Sequence, residues 1–556
     1  MGKPEEGLGN TMNAKAHGTS EMPPRDQCVF PAMLDAQAQR YESKPLILFE
    51  HEQQWTYREA ACQSRAAAAA LQHLGIQRGE PVLVWLPSTS AIVRIHFGLC
   101  YLGGIFVPIN LALKGGVLEH VIVSSSATTI ICHAALAPRL ETVALGSLKR
   151  IVIVGGPATG PLDLAYFDDN VLAGDAASFT EPEPPIQPWE PHGIFYTSGT
   201  TGRSKGVIAS HLHTAMLGRC CFRFFEEHDR FLMNLPYFHM GGVVVPFGML
   251  AYGASMALLK EFRTQTFWDE VNRTQATSCF LLGAISTFLM KQPERANDAQ
   301  SSLRSAIQQP VTADSQALSK RFAIDLYTQL DMTEMAAYIL SSALTPDQMQ
   351  NGYCGRETRV WPSFEARLVD EHDCDVLPGE VGELIVRCDM PHVISPGYWN
   401  MPEATAHAWR NGWFHTGDAL RKDSAGDYFF VDRVKDCIRR RGENISSVEV
   451  EEQLLSYSAV GDAAAVATKS EHGEDEVLAV VVPKPGQVIV ATELFEYLVP
   501  LMPHFMLPRY IRILGEMPYT QTHKIQKAKL RSVGISTSHV WDRETAGYTV
   551  KRDVIK

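Results

Sequence analysis

Short apolar runs alternate with amphipathic stretches along most of this chain. The stretch from Ala60 to Leu74 repeats apolar residues at helical spacing and ends before Gly75, whereas the next run, PVLVWLP, is short and continuously apolar, as in a buried strand. The same strand pattern recurs in TTIICHA, RIVIVG, SMALLK and TSCFLLG, between helical segments. Because buried strands that alternate with helices form parallel sheets covered on both faces, the pattern predicts an α/β fold with layered parallel sheets.

The length of the chain adds an expectation about domains. At 556 residues the chain is longer than one hydrophobic core usually serves, so we expect two or more domains. Its most apolar window, residues 91–113, is interrupted by charged residues, glycines and a proline, which predicts a buried helix followed by a strand and no membrane span. Residues 1–25 lack the apolar segment of a secretory signal and are predicted to form a disordered arm.

Charge and cysteine content narrow the class of protein. The formal net charge of −12 argues against nucleic acid or an anionic membrane as the main partner, since both attract basic surfaces. The 11 cysteines include no C-x-x-C pair and no Cys/His cluster at metal-binding spacing. This pattern favours free thiols in a reducing compartment, and we expect a cytoplasmic protein.

The segment YTSGTTGRSKGV, from Tyr196 to Val207, is rich in glycine and hydroxyl side chains. Glycines let backbone N–H groups approach an anion closely, hydroxyls add donors, and the ammonium group of Lys205 adds positive charge. The order of residues differs from the Walker sequence G-x-x-x-x-G-K-[ST], so the segment predicts a phosphate-binding loop of another kind. The residues predicted to hold phosphate are Thr197, Ser198, Gly199, Thr200, Thr201, Gly202 and Lys205.

Further segments follow this loop in a definite order: PYFHMGG, DMTE, GYWNMPEAT with GWFHTGD, DRVKDCIRRRGENIS and PYTQTHKIQKAKLR. Together with the loop they resemble the signatures of the adenylate-forming superfamily of acyl-CoA synthetases, peptide-synthetase adenylation domains and luciferases. The resemblance runs from about Phe30 to about Arg531. It implies a large N-terminal α/β domain of several subdomains at residues 26–432, a hinge at 433–436 that contains Lys435, a small mobile α+β C-terminal domain at 437–532 and a tail at 533–556.

The same resemblance implies an acid–thiol ligase that makes an acyl-CoA in two steps. A carboxylic acid first reacts with ATP, assisted by Mg²⁺, to give an acyl-adenylate, and the thiol of coenzyme A (CoA) then displaces AMP. The implied roles are contact with the α-phosphate for Thr333, Mg²⁺ binding for Glu334, ribose binding for Asp418 and Arg433, a bridge between the carboxylate and the α-phosphate for Lys524, and a border of the acyl pocket for His239.

The thiol and the acyl group also have predicted sites. Arg439, Arg440 and Arg441 would pair with CoA phosphates, and Gly442 would let the pantetheine arm pass, although the phosphopantetheine of a carrier protein is an alternative thiol. The acyl pocket is predicted to be mostly apolar, as suits a bulky hydrophobic acid, with Asp331 as the counter-ion of an amino acid substrate in the alternative. Its predicted lining residues are Phe238, Gly241, Gly242, Gly283 and Met332.

The sequence departs from the superfamily at the predicted adenine site. Gln308 and Gln309 replace glycines, and Leu330 and Asp331 replace an aromatic residue and a glycine. A milder change puts His523 where a glycine usually precedes the lysine.

These departures leave two enzymatic hypotheses and one non-enzymatic hypothesis. The first is a self-sufficient ATP-dependent acyl-CoA synthetase. In the second, adenylation is weak or lost and a partner ligase supplies acyl-AMP, which resembles the paired acyl-CoA ligases of bacterial diterpenoid antibiotic pathways such as that of platensimycin. The third is a catalytically silent adenylate-binding scaffold, which the retention of Lys524 and Asp418 disfavours.

Overall fold

A computed structural model of the chain describes residues 22–50, 53–197, 203–282, 285–312, 314–341, 343–350, 352–357, 364–433, 437–440, 443–469, 475–518, 525–536 and 540–550. Several predicted site residues lie outside these ranges. They are Ser198, Gly199, Thr200, Thr201, Gly202, Gly283, Lys435, Arg441, Gly442, His523 and Lys524, and the side chain of Arg433 is likewise not described.

The strands in chain order are β1 (Pro45–Phe49), β2 (Trp55–Thr56), β3 (Pro81–Trp85), β4 (Ile105–Pro108), β5 (Thr129–His133), β6 (Arg150–Val154), β7 (Ala165–Asp168), β8 (Pro191–Thr197), β9 (Lys205–Ser210), β10 (Arg230–Met233), β11 (Ser255–Leu258), β12 (Ser278–Leu282), β13 (Ser305–Gln309), β14 (Asp325–Tyr327), β15 (Gln329–Met332), β16 (Met335–Leu340), β17 (Tyr353–Glu357), β18 (Phe364–Val369), β19 (Val381–Cys388), β20 (Phe414–Lys422), β21 (Asp427–Arg433), β22 (Cys437–Arg440), β23 (Glu443–Ser446), β24 (Val460–Lys469), β25 (Asp475–Pro483), β26 (Tyr510–Ile513) and β27 (Val540–Asp542).

The α-helices in chain order are α1 (Arg25–Cys28), α2 (Phe30–Tyr41), α3 (Tyr57–His73), α4 (Ser90–Leu102), α5 (Gly115–Ser125), α6 (His211–Cys221), α7 (Met240–Tyr252), α8 (Phe267–Thr274), α9 (Ile285–Met290), α10 (Ser315–Phe322), α11 (Pro402–Ala408), α12 (Ser447–Leu455), α13 (Ala491–Leu498) and α14 (Lys527–Val533). Within the described part of the chain, none of these helices is both long enough and apolar enough to cross a membrane.

Two seven-stranded, mostly parallel sheets form the larger part of the fold, as the apolar pattern predicts. The first has the order β7-β6-β5-β3-β4-β8-β9 and the second the order β14-β13-β12-β10-β11-β1-β2. Only their edge strands β9 and β2 pair in the antiparallel sense. The five apolar runs PVLVWLP, TTIICHA, RIVIVG, SMALLK and TSCFLLG form β3, β5, β6, β11 and β12, which confirms their assignment as strands.

Local signals explain where two of the helices begin and end. The predicted helix at residues 60–74 is α3, and its first turn is closed by a capping box in which the Thr56 hydroxyl and the Glu59 carboxylate each accept a backbone N–H of the other residue. The window at residues 91–113 forms α4 and β4, and α4 ends at Gly103, whose φ of +78° suits a residue without a side chain.

A third, antiparallel sheet has the order β15-β16-β17-β21-β20-β19-β18. It starts directly after β14 of the second sheet and carries the DMTE segment at one end and the predicted ribose-binding residues at its centre. The three sheets together therefore bring the signature segments of the larger domain into one region.

Beneath this region lies a network of buried imidazole and hydroxyl groups. His96 Nδ1 lies 2.8 Å from the hydroxyl of Tyr237, and His192 Nε2 lies 2.7 Å from the hydroxyl of Thr214. Burial lowers the pKa of His96 to about 3 and also lowers that of His192, so both rings are neutral at physiological pH. The polar atoms satisfy one another, and the network serves as part of the core.

The small C-terminal domain consists of the hairpin β22-β23 and the sheet β24-β25-β26-β27, with α12, α13 and α14. Strand β27 falls in the segment predicted as a tail, but it pairs with β26 and so belongs to this sheet. Helix α12 begins with Ser446 as its N-cap residue. The Ser446 hydroxyl accepts the Glu449 backbone N–H, whereas the Glu449 carboxylate accepts the Ser204 backbone N–H at 2.8 Å.

Arg440 corrects one prediction about CoA. Its guanidinium is buried, lies 2.8 Å from the Glu476 carboxylate and donates to the carbonyl oxygens of Phe505 and Leu507. It cannot reach a CoA phosphate without breaking these contacts, so Arg440 is a structural residue. Arg439, which points to the other face of β22, is exposed, and its role in CoA binding stays a prediction.

We expect Arg440→Ala to lower the free energy of unfolding by about 3–5 kcal/mol, because the buried Glu476 carboxylate loses its nearest cation and keeps only the Arg509 guanidinium at 4.0 Å. Urea unfolding measures the change. Arg439→Ala is the matched control, since it removes an exposed guanidinium from the next residue, and its effect should stay within about 0.5 kcal/mol. Equal effects of the two substitutions would contradict the structural role of Arg440.

Candidate active site

The phosphate-loop lysine and the predicted Mg²⁺ ligand both contact the side chain of Tyr398. Lys205 begins β9 opposite Thr197, and its ammonium nitrogen lies 4.7 Å from the centre of the Tyr398 ring. The Tyr398 hydroxyl donates to a carboxylate oxygen of the buried Glu334 at 3.0 Å. Burial and the negative charge of Glu334 raise the pKa of Tyr398, so this hydroxyl stays protonated. The structure thus brings residues from β9, DMTE and GYWN together around Tyr398.

Glu334 is held by a segment between β19 and α11. The Ser395 backbone N–H donates to the Glu334 carbonyl oxygen at 2.8 Å, and Ile394 forms a β-bridge with Met335. These bonds fix the turn between β15 and β16 on which Thr333 and Glu334 lie. A carboxylate fixed in this way can serve as a hard oxygen ligand for Mg²⁺.

The two predicted ribose ligands are direct neighbours across a strand pair. Asp418 on β20 lies opposite Arg433 on β21, and the Asp418 side chain is almost fully buried. The pairing of the two strands therefore places these positions next to each other, and their role in ribose binding stays a prediction.

The hairpin β22-β23 contacts the larger domain through Glu443. The Glu443 carboxylate lies 3.3 Å from His239 Nε2 and accepts a hydrogen bond from the Asn110 amide at 3.2 Å. His239 directly precedes α7 and packs its ring against that of Phe238, with the ring centres 4.5 Å apart. His239 is therefore a junction between the predicted acyl pocket and the segment after the hinge.

A second contact joins helix α12 to the end of the phosphate loop. Besides the Ser204–Glu449 hydrogen bond, the Arg203 guanidinium lies 3.0 Å from the Glu452 carboxylate. Burial raises the pKa of Glu449, and the hydrogen bonds from Ser204 oppose that shift. In this arrangement a carboxylate is buried against the strand that directly follows the loop predicted to hold the phosphates of ATP.

Two of the residues that depart from the superfamily, Gln309 and Asp331, form a polar cluster with Gln329 and Cys221. The Gln309 amide donates to the Gln329 carbonyl oxygen at 2.6 Å and to the Asp331 carboxylate at 3.1 Å. The Gln329 amide donates to the same carboxylate at 2.8 Å, and the Cys221 thiol lies 3.6 Å from it. Burial raises the pKa of Asp331, while these hydrogen bonds and the charge of Arg439 lower it.

This cluster gives the Asp331 carboxylate neutral partners, since it accepts hydrogen bonds from the amides of Gln309 and Gln329. Gln329 and Asp331 lie on the same strand as Met332, so the predicted acyl pocket has polar residues next to its predicted apolar lining. Leu330 packs against the main core, and Gln308 points away from the cluster because successive residues of β13 face opposite sides of the sheet.

The predicted acyl-pocket residues at the start of α7 are described in part. Phe238 is buried, and Met332 is half-buried opposite Met335 in the DMTE turn. A Cβ atom at Gly242 would lie 2.6 Å from the Pro236 carbonyl oxygen, so close packing of the turn already requires this glycine. Its small size is not by itself evidence of space for a ligand.

Four residues of the site were not predicted from the sequence: Tyr398, Glu443, Asn110 and His213. Tyr398 and Glu443 lie inside the quoted segments GYWNMPEAT and RRRGENIS, where only neighbouring residues received roles. Asn110 lies two residues after the buried strand β4, and His213 lies in the first turn of α6, the helix after β9. Position next to a signature segment is the signal that would have singled them out.

The chain belongs to the family of AMP-binding enzymes. The AMP-binding enzyme family matches residues 34–399, and its C-terminal domain matches residues 449–524. The fold is that of the adenylate-forming superfamily, with a large N-terminal α/β domain and a small C-terminal domain, and the protein is a ligase.

Individual relatives cover nearly the whole chain. Crotonobetaine/carnitine–CoA ligase of Salmonella arizonae is 27% identical over 523 residues, which are 90% of this chain and 98% of the relative. The structure of o-succinylbenzoate CoA synthetase from Bacillus subtilis, bound with a product analogue, has a TM-score of 0.76 at 21% identity and covers 90% of this chain and 98% of its own. An amide bond synthetase from Marinactinospora thermotolerans has a TM-score of 0.73 at 23% identity, over 90% of this chain and 99% of its own.

Proposed function

We propose that this ligase forms an acyl-CoA thioester from an acyl-adenylate, and that its own ATP-dependent adenylation is weak or lost, so that a partner ligase supplies the acyl-AMP. Thr333 and Glu334 would contact the α-phosphate and Mg²⁺, Asp418 and Arg433 the ribose, and Lys205 the remaining phosphates of ATP. The observation that carries the proposal is the cluster of Gln309, Gln329 and Asp331 at the predicted adenine site.

The cluster weakens ATP binding for a steric and an electrostatic reason. Side chains at positions where the superfamily has glycines narrow the slot for the base, and Leu330 offers no aromatic face for stacking. Loss of base stacking alone costs about 1–3 kcal/mol. The Asp331 charge adds a repulsive contribution towards the triphosphate, reduced by the amide groups that bind it.

The same cluster weakens the binding of acyl-AMP less than the binding of ATP. Both ligands carry adenine, but acyl-AMP is also held in the acyl pocket, whereas ATP alone depends on the base, ribose and phosphate contacts. A ligand anchored at a second site tolerates the loss of one contact, since its remaining binding energy is larger. Because of this difference, the protein can keep thioester formation from acyl-AMP while its adenylation is weak or lost.

The contacts of the small domain support thioester formation. Glu443 contacts His239 and Asn110, which brings the segment predicted to admit pantetheine to the acyl site. Glu449 at Ser204 adds a buried carboxylate next to the phosphate loop, an arrangement that disfavours bound triphosphate. Domain alternation about Lys435 would release these contacts when adenylation requires another pose. Exposed Arg439 favours CoA over a carrier protein, because CoA adds a 3′-phosphate that the guanidinium can bind.

The proposal is tested by supplying purified protein with CoA and either a carboxylic acid plus Mg·ATP or chemically prepared acyl-AMP. Hydrophobic acids and cationic betaine acids are both included, since the pocket wall is partly polar and the relatives named above include carnitine–CoA ligases. We expect thioester from acyl-AMP and little from acid plus ATP. Thioester from neither source, across these acids, would instead support a silent scaffold.

A self-sufficient acyl-CoA synthetase is the second candidate, and the intact arrangement of Lys205, Tyr398 and Glu334 favours it. Brisk acid-dependent exchange of pyrophosphate into ATP by the unmodified protein would establish this function.

Glu443→Ala should slow thioester formation from acyl-AMP about tenfold or more, because the substitution removes the contacts with both His239 and Asn110. Affinity for acyl-AMP itself should change little. Glu452→Ala is the matched control, since it breaks only the exposed contact with Arg203 and should change turnover less than about threefold. Unchanged turnover of Glu443→Ala would show that the hairpin contact plays no part in thioester formation.

A further inference from the structure

One buried imidazole lies between the two segments that carry the phosphate and metal site. His213 is in the first turn of α6, which starts directly after β9, and its side chain is fully buried. Its Nε2 atom lies 3.1 Å from the Thr333 carbonyl oxygen, and its Nδ1 atom lies 2.7 Å from the Val393 carbonyl oxygen. The ring therefore spans from the DMTE turn to the segment at residues 393–398.

Each of these two segments helps to hold Glu334 in place. Thr333 directly precedes it, and the other segment supplies the Ser395 N–H to its carbonyl and the Tyr398 hydroxyl to its carboxylate. A planar ring with two fixed nitrogen atoms sets the distance between the two carbonyls more rigidly than a flexible chain would. A shift of His213 must move the Thr333 backbone, the Val393 backbone, or both.

The helix start holds the ring in place. The Ser210 hydroxyl accepts the His213 backbone N–H at 3.1 Å and donates to the carbonyl oxygen of His392, the residue before Val393. The first turn of α6 is thus bonded to the 393–398 segment twice, through Ser210 and through His213. Nε2 is the ring atom that contacts the DMTE turn, at the Thr333 carbonyl oxygen.

A neutral imidazole carries one N–H, and two carbonyl oxygens face this ring. Burial lowers the pKa of His213, and its hydrogen bonds to the two backbone carbonyls oppose that shift. At neutral pH one carbonyl oxygen therefore accepts a hydrogen bond from the ring N–H, and the other faces the lone pair of the second ring nitrogen. The two contacts are not equivalent, and substitutions that keep one donor at a time can separate them.

We propose that His213 is a positioning residue for Thr333 and Glu334, and that it sets the contact with the α-phosphate of the adenylate through Nε2 and the Thr333 carbonyl. The proposal rests on the proposed function, which assigns the α-phosphate to Thr333. It adds the residue that holds this contact in place, on a helix that no signature segment includes.

The test compares His213→Gln, His213→Asn and His211→Gln in the full chain. The glutamine amide nitrogen falls near the Nε2 position and the asparagine amide nitrogen near the Nδ1 position, so each variant can donate to one of the two carbonyl oxygens. His211 is buried on the same helix and accepts the Phe30 N–H, away from Thr333, which makes it the matched control for loss of a buried imidazole. Turnover of acyl-AMP with CoA, the KM of each substrate, the calorimetric affinity for AMP and the melting temperature are measured.

We expect His213→Asn to raise the KM for acyl-AMP and the Kd for AMP about tenfold, and His213→Gln to keep both within about threefold of the unmodified protein. The KM for CoA should not change in any variant, and His211→Gln should lower only the melting temperature. Equal losses in the two His213 variants, or losses that merely follow the melting temperature, would overturn the proposal. If the unmodified protein makes no thioester, the proposed function fails, and the AMP titrations still decide the role of His213.

Discussion

Lys524→Ala abolishes any ATP-dependent adenylation by this protein and spares thioester formation from preformed acyl-AMP: this is the largest effect that we expect. The lysine ammonium group would stabilise negative charge that develops between the carboxylate and the α-phosphate, and loss of such a group lowers turnover about 10²- to 10³-fold. In the proposed second half-reaction the small domain would have rotated, so the same charge would no longer be at the reacting atoms.

Acid-dependent pyrophosphate exchange and CoA thioester formation from acyl-AMP, measured on the same protein preparation, separate the two half-reactions. If the unmodified protein shows no measurable exchange, the first measurement is made in the variant with restored exchange described next. Lys529→Ala is the control, since Lys529 is an exposed lysine on the helix that follows this segment. An equal loss in both half-reactions would refute the assigned role of Lys524.

Asp331→Gly combined with Leu330→Tyr should increase acid-dependent pyrophosphate exchange. Restored stacking and the removal of a carboxylate from the adenine site together contribute roughly 2–4 kcal/mol, or about thirty- to a thousandfold. The structure adds a cost to this expectation. Without Asp331, the amides of Gln309 and Gln329 lose their common acceptor, so we expect a lower melting temperature as well.

Two further variants distinguish the electrostatic cause of weak adenylation from the steric cause. Asp331→Asn keeps the size of the side chain and removes its charge, so its gain measures the electrostatic part alone. Addition of Gln309→Gly to the double variant widens the slot and removes one of the two amides that lost Asp331 as an acceptor. Because these residues touch, their effects need not add, and each single variant is compared with the combination. No gain in any of them would show that this cluster does not limit adenylation.

The pattern along the chain predicted the elements well where they depend on neighbouring residues. The strands β3, β5, β6, β11 and β12, the helix α3 and the pair α4–β4 follow from apolar periodicity and from end signals such as Gly103. The family, the two domains and the grouping of Lys205 with Glu334 followed from the ordered signature segments. Roles assigned to Ser198, Gly442 and Lys524 remain predictions, since these residues lie outside the described ranges.

The sequence by itself therefore determined the class of enzyme, the order of its elements and which segments carry the chemistry. Only the tertiary structure decided which partner each side chain has. Arg439 and Arg440 are neighbours in one basic run, yet strand alternation exposes the first and buries the second against Glu476. Asp331 meets Gln309, which lies 22 positions earlier, and His213 meets carbonyl oxygens 120 and 180 positions later. The physical reason is that such contacts depend on strand register and on the packing of distant segments, whereas local periodicity records only which face of an element is buried.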